Sequence, residues 1–269
     1  AAANTYESFL FFRLLIGAIG ASFVITQYHT SVMFAPNVVG TANAASAGWG
    51  NAGGGATQAI MPLILGAIVM FGVEQAMGWR IALLVPGIMM VIVGVLYWKL
   101  TQDCPQGDFK ELRANGVEVG SGKKGGVAIL MQAARNYRVW ILFVSYAACF
   151  GIEIFIHNIA AMYYVDHFNM GLKEAGLTAG IFGLLALFAR ALGGIVSDKV
   201  AISKGLDGRT KVLFILILCE GLFLILFSQM NTVALAIISM TVFALFTHMS
   251  CGATYALVPF IDRNALGGV

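Results

Sequence analysis

The 269-residue chain is 59% apolar and 11% charged, with a net charge of +3 and a mean hydropathy of +0.85. A soluble domain carries roughly 25% charged residues, so this composition excludes a water-facing surface and makes lipid the solvent. The mild positive excess is no pointer to nucleic acid, and four scattered cysteines (Cys104, Cys149, Cys219, Cys251) without a CxxC pair argue against a zinc site or a disulfide framework.

The first apolar run, about 9–33, has no basic leader and is too long to be the core of a cleavable signal peptide. A second, about 39–73, contains the stretch SAGWGNAGGGATQ, with Gly48, Gly50, Gly53, Gly54 and Gly55 around Asn51. A third covers about 79–100. Residues 101–138 then form the one sizeable polar stretch, rich in Gly and charge. Four further runs follow at about 139–165, 172–197, 211–229 and 232–257. Each is near or beyond the roughly 20 residues that cross a bilayer. The spans lack the polar alternation of barrel strands, which leaves helices. The expectation is an all-α membrane protein with about seven transmembrane helices. Residues 1–100 hold three of them, 101–138 form a linker, and 139–269 hold four and the start of another. The chain opens AAANTYESF without a methionine and closes ALGGV as another segment begins, so it reads as an internal piece of a larger membrane protein.

Orientation follows from the basic residues. If 101–138 is cytoplasmic, its flanks and interior hold Lys99, Lys110, Arg113, Lys123, Lys124, Arg135 and Arg138. The next loop on that side holds Lys199, Lys204, Arg209 and Lys211, and the last holds Arg263. These are twelve of the 16 basic residues. Arg13, Arg80 and Lys173 fall on the other side, and Arg190 lies inside a span.

An intramembrane arginine costs at least ~2.5 kcal/mol and faces a bundle interior. Ala186, Ala189, Gly193 and Gly194 leave space beside Arg190, and its planar donors suit a planar anion. A structural ion pair with Glu153 is the alternative. Tyr146, Phe150, Glu153 and His157 recur at i, i+4, i+7 and i+11, one helical stripe that suits a cavity. His29, His167 and His248 show no metal or haem spacing and read as packed or solvated side chains.

The segment GGIVSDKVAISKGLDGRTK resembles the cytoplasmic loop motif of the major facilitator superfamily through Gly194, Asp198, Lys199, Gly208, Arg209 and Lys211, with a lengthened middle. An ordinary positive-inside loop is the alternative. AGWGNAGGGATQAIMPL resembles the signature of the nitrate/nitrite porter family within that superfamily, from its fourth helix to the start of its eleventh. The resemblance implies two helical bundles: the last three helices of the first in residues 1–100, a cytoplasmic linker in 101–138, and the first four helices of the second from 139. It implies an integral protein of the plasma membrane, not an enzyme, needing no cofactor and no metal. Its partners would be nitrate, nitrite, protons, membrane lipid and the missing helices of the same protein. Transport would be proton-coupled uptake by alternating access for nitrate assimilation; nitrate/nitrite exchange and carriage of another small anion stay open. Arg190 matches an anion-clamping arginine, Tyr146 a hydrogen-bonding residue, and Phe23 and Phe150 two aromatics that sandwich the anion. Gly50, Gly53 and Gly54 can share a face that admits a neighbouring helix or a ligand, with Asn51 offering its amide. Plain helix packing is the alternative there. Glu153 and His157 are the candidates for proton coupling. By rise per residue, Phe23, Asn51, Tyr146, Phe150 and Arg190 fall in one layer, roughly 3–9 Å from their span midpoints.

Overall fold

In hydrocarbon every backbone N–H and C=O must be satisfied within the protein, and an apolar helix does this alone. The computed structural model describes residues 5–117, 126–262, 266 and 268; Lys123, Lys124 and Arg263 lie outside them. Among the described residues the elements are helices: α1 (Tyr6–Ala18), α2 (Ala21–Met33), α3 (Val39–Met70), α4 (Gln75–Ala82), α5 (Leu84–Leu100), α6 (Phe109–Ala114), α7 (Gly126–Arg135), α8 (Tyr137–Phe168), α9 (Leu172–Leu184), α10 (Ala186–Ser228) and α11 (Val233–Ile261). Among the described residues five helical stretches are long and apolar enough to cross a membrane: Tyr6–Met33, Gln75–Leu100, Tyr137–Phe168, Glu174–Ser228 and Val233–Ile261. The fourth, with 55 residues, contains two passes. Gly205 breaks α10 with φ +57° and ψ −142°, a conformation that side chains with a Cβ rarely adopt. Arg209 reaches Asp198 across the break at 2.6 Å. Eleven residues of straight helix would hold them roughly 16 Å apart, so the chain reverses there. At 32 residues, α3 spans about 48 Å, long enough to cross although glycine dilutes its hydropathy.

The helix ends follow local chemistry. Asn136 caps α8 by accepting from the Arg138 N–H at 3.1 Å, and Asn169 ends it in the left-handed region at φ +52°. Thr5 and Ser8 form a reciprocal capping box at α1.

The chain divides into two compact units. One comprises residues 1–26 and 57–119; the other comprises 27–56 and 120–269. In the first, Gly78 of α4 admits Leu65, Ile68 and Val69 of α3, and most apolar side chains of α5 are exposed. That is the surface a lipid-facing helix presents. The second unit therefore takes the first half of α3 together with α8–α11.

Lipid tails are as apolar as leucine, so helices associate in the bilayer through close van der Waals contact. Glycine supplies it here. A Cβ at Gly193 would strike the Met249 carbonyl, one at Gly252 the Arg190 carbonyl, and one at Gly194 would lie 2.7 Å from the Gly40 carbonyl. Two buried apolar clusters result. Ile156, Tyr164, Phe182, Met240 and Phe243 belong to the first; Leu142, Val212, Leu216, Met249 and Leu257 belong to the second. Along both α8 and α11 a polar set separates them.

Candidate functional site

That polar set is centred on Arg190, which is 0% exposed. It lies roughly 3 Å along the axis from the middle of the 172–204 stretch. Its Nη2 is ion-paired with Glu153 Oε2, and its Nη1 donates to the Tyr255 hydroxyl at 3.0 Å. The guanidinium carbon stands 5.8 Å from the ring centres of both Phe150 and Tyr255. Its Nε is buried without a hydrogen-bond partner. A buried cation thus sits among aromatic rings with one donor uncommitted, which is unusual for so costly a group.

The stripe on α8 faces this centre. Tyr146 stacks on Phe150 at 5.0 Å and 10°, and its hydroxyl lies 2.6 Å from that of Tyr255. Glu153, 2% exposed, has His157 Nε2 at 3.8 Å on one oxygen and His248 Nδ1 at 3.4 Å on the other. The Cys251 thiol is 3.6 Å from Glu153 Oε2 and 3.5 Å from the Cys149 sulfur. His248 Nε2 lies 2.8 Å from the Phe182 carbonyl, an acceptor, so Nε2 carries the hydrogen and Nδ1 faces Glu153. Among the described residues no group of His, Cys, Asp and Glu is arranged to hold a metal ion.

The structure brings Arg190, Tyr146, Phe150, Glu153 and His157 together. The ion pair that was the alternative for Arg190 is made, so Glu153 and any bound anion would compete for the same guanidinium. Of the two readings of His248, packed or solvated, the structure has the packed one: it is buried and faces Glu153. Tyr255 and Cys251 were missed, because a tyrosine and a cysteine in an apolar run carry no signal until a helix contact gives them a partner.

The glycine-rich stretch lies alongside through residues other than those expected. A Cβ at Gly48 would be 2.6 Å from the Ala186 carbonyl and 3.2 Å from Arg190 Cβ; one at Gly55 would be 3.1 Å from the Leu184 nitrogen. A Cβ at Gly50 or Gly53 would meet no atom within 4 Å, and one at Gly54 would lie 3.9 Å from His157 Cε1. At 100° per residue Gly48 and Gly55 share a face, whereas Gly50 and Gly53 point well away from it. Among the described residues the close packing is made by Gly48 and Gly55. Asn51 is half-buried and donates from Nδ2 to the Ala47 carbonyl at 2.9 Å within its own helix. Phe23 belongs to the other compact unit.

The loop motif is resolved into contacts. Asp198 pairs with Arg209 through Oδ1 at 2.6 Å. Through Oδ2 it accepts from the Thr41 N–H at 2.6 Å and the Thr41 hydroxyl at 2.7 Å. The N–H is one of the donors that the first turn of α3 leaves unsatisfied. Lys211 pairs with Asp207 at 2.7 Å on the exposed side.

The family model described as Major Facilitator Superfamily matches residues 1–263. High affinity nitrate transporter 2.5 of Arabidopsis thaliana is 38% identical over 97% of this chain and 51% of its own length. Nitrate transporter 2.2 of Chlamydomonas reinhardtii is 37% identical over 100% of this chain and 52% of its own. Nitrate/nitrite transporter NrtP of Nostoc punctiforme is 24% identical over 100% of this chain and 66% of its own. The chain spans about half the length of the first two relatives. No solved structure matches at a significant level. With several membrane-crossing helices and this relationship, the chain is part of an integral membrane protein.

Proposed function

We propose, from the premise that this chain belongs to the major facilitator superfamily, that it belongs to a carrier moving nitrate, and also nitrite, across the plasma membrane by alternating access. It is a carrier and not an enzyme: nitrate undergoes no chemistry in it. Residues 1–100 and 139–269 belong to the two bundles, and 101–138 is the cytoplasmic linker between them.

The observation that carries this reading is Arg190, fully buried at mid-span against Phe150 and Tyr255 with Nε uncommitted. A planar anion can take two oxygens to the fork of guanidinium donors. Tyr146, hydrogen-bonded to Tyr255, and Asn51, one turn along α3 from Gly48, supply neutral hydrogen bonds. Phe150 excludes water from one face of the anion. A dry site strengthens these contacts relative to water. Gly50 and Gly53 leave α3 without bulk on a second face for the anion's passage.

Nitrate arriving at Arg190 displaces Glu153, since two anions compete for one guanidinium. The released carboxylate, with His157 and His248 beside it, then takes a proton. Inward movement of an anion opposes an inside-negative potential by about 2.3 kcal/mol per charge per 100 mV, and accompanying protons offset that cost. Exchange of nitrate for nitrite needs no titrating group. The test is nitrate uptake by the full-length protein in sealed lipid vesicles, with nitrite and chloride as competitors. Accumulation under an inward proton gradient, inhibited by nitrite and not by chloride, is expected. Binding without flux would make the protein a receptor and overturn the proposal; flux that needs internal nitrite and ignores the gradient would make it an exchanger.

A further inference from the structure

A second carboxyl lies buried at mid-membrane and is not used by the anion site. Glu220, 5% exposed, is on the limb of α10 after Gly205, roughly 4 Å along the axis from the middle of that limb. Its Oε2 is buried without a hydrogen-bond partner. The Thr247 and Ser250 side chains of α11 lie beside its carboxyl. Each of those hydroxyls has one hydrogen, and each spends it within its own helix: Thr247 on the Phe243 carbonyl at 3.1 Å, Ser250 on the Phe246 carbonyl at 2.8 Å. Spent in this way, neither hydrogen satisfies Glu220 Oε2.

The charged surroundings point the same way. From α8, the charge that reaches Glu220 is the carboxylate of Glu153, a like charge. Arg190, on the other limb of α10, is turned to Glu153 and Tyr255. His248, on α11, presents its two nitrogens to the Phe182 carbonyl and Glu153. A carboxylate can only accept hydrogen bonds, so an ionised Glu220 would leave Oε2 buried in hydrocarbon without a donor. A carboxylic acid brings the O–H donor that this environment lacks.

We propose that Glu220 is a proton-binding site of the carrier, separate from the anion site. It is held as a neutral acid between α10 and α11, beside the hydroxyls of Thr247 and Ser250. It releases the proton when the two helices part and water reaches the carboxyl. The transport role rests on the carrier reading above; the protonation does not.

The experiment therefore has two readouts on the full-length protein in lipid vesicles. By infrared spectroscopy at neutral pH without nitrate, the wild type should show the carbonyl stretch of a buried protonated acid. It should vanish in Glu220→Gln, which is isosteric with the neutral acid, and persist in Glu153→Gln. In flux assays, Glu220→Gln should still exchange nitrate across vesicles at equal pH, while stimulation of uptake by an inward proton gradient falls below that of the wild type. A band that survives in Glu220→Gln, or gradient-driven accumulation at the wild-type level, would overturn the proposal. If the wild type exchanges no nitrate, the carrier reading fails while the infrared band still decides whether Glu220 is protonated.

Discussion

Replacing Arg190 with lysine keeps the positive charge and removes the geometry. In the native chain two different nitrogens act at once, Nη2 on Glu153 and Nη1 on Tyr255, and Nε remains for a third partner. A lysine brings a single nitrogen at the end of a flexible stem, so it cannot reach both partners and an anion in the same positions. At least one charge-assisted hydrogen bond is lost, about 1.5–3 kcal/mol. At 1.4 kcal/mol per tenfold change, that weakens nitrate binding about 10- to 150-fold. The cation–π contribution from Phe150 and Tyr255, both 5.8 Å from the guanidinium carbon, survives in part because an ammonium also benefits from the ring faces. The assay is the concentration dependence of nitrate uptake by full-length Arg190→Lys in vesicles, normalised to protein that runs as a single species in detergent. A half-saturating concentration within about twofold of wild type would refute the argument, because it would mean that charge alone recruits the anion.

Two further substitutions separate packing from function. Gly48→Ala places a methyl 2.6 Å from the Ala186 carbonyl, and overpacking of this kind costs about 1–3 kcal/mol; Gly50→Ala meets no atom within 4 Å and gains helix propensity. Thermal unfolding in detergent should give a lowered midpoint for the first and an unchanged or raised one for the second, and equal midpoints would sink the assignment of the contact face. Asp198→Asn leaves buried Arg209 without its counter-charge and weakens the acceptor for Thr41. Breaking a buried pair costs about 3–5 kcal/mol, so a lowered midpoint and faster proteolysis near Gly205 are expected; wild-type resistance would show that the pair is not structural.

The helical spans were legible in the sequence because crossing a bilayer is a local requirement. A run such as 79–100 must be apolar and helical whatever it touches. Arg190 stood out for the same reason, since its cost in lipid depends on depth and not on partners. The stripe of Tyr146, Phe150, Glu153 and His157 followed from the period of one helix. Which residues meet across helices was decided only by the tertiary structure. Tyr255 comes to Arg190 from 65 residues further along the chain and Cys251 to Glu153 from 98, with His248 on the same helix, and Thr41 reaches Asp198 over 157. Among the described residues it is Gly48 and Gly55 of the glycine-rich run that make the close approach. Hydrophobicity does not distinguish one helix face from another when the solvent is itself hydrocarbon. The choice falls to the rotation at which two backbones can pack, and that is a property of both helices together.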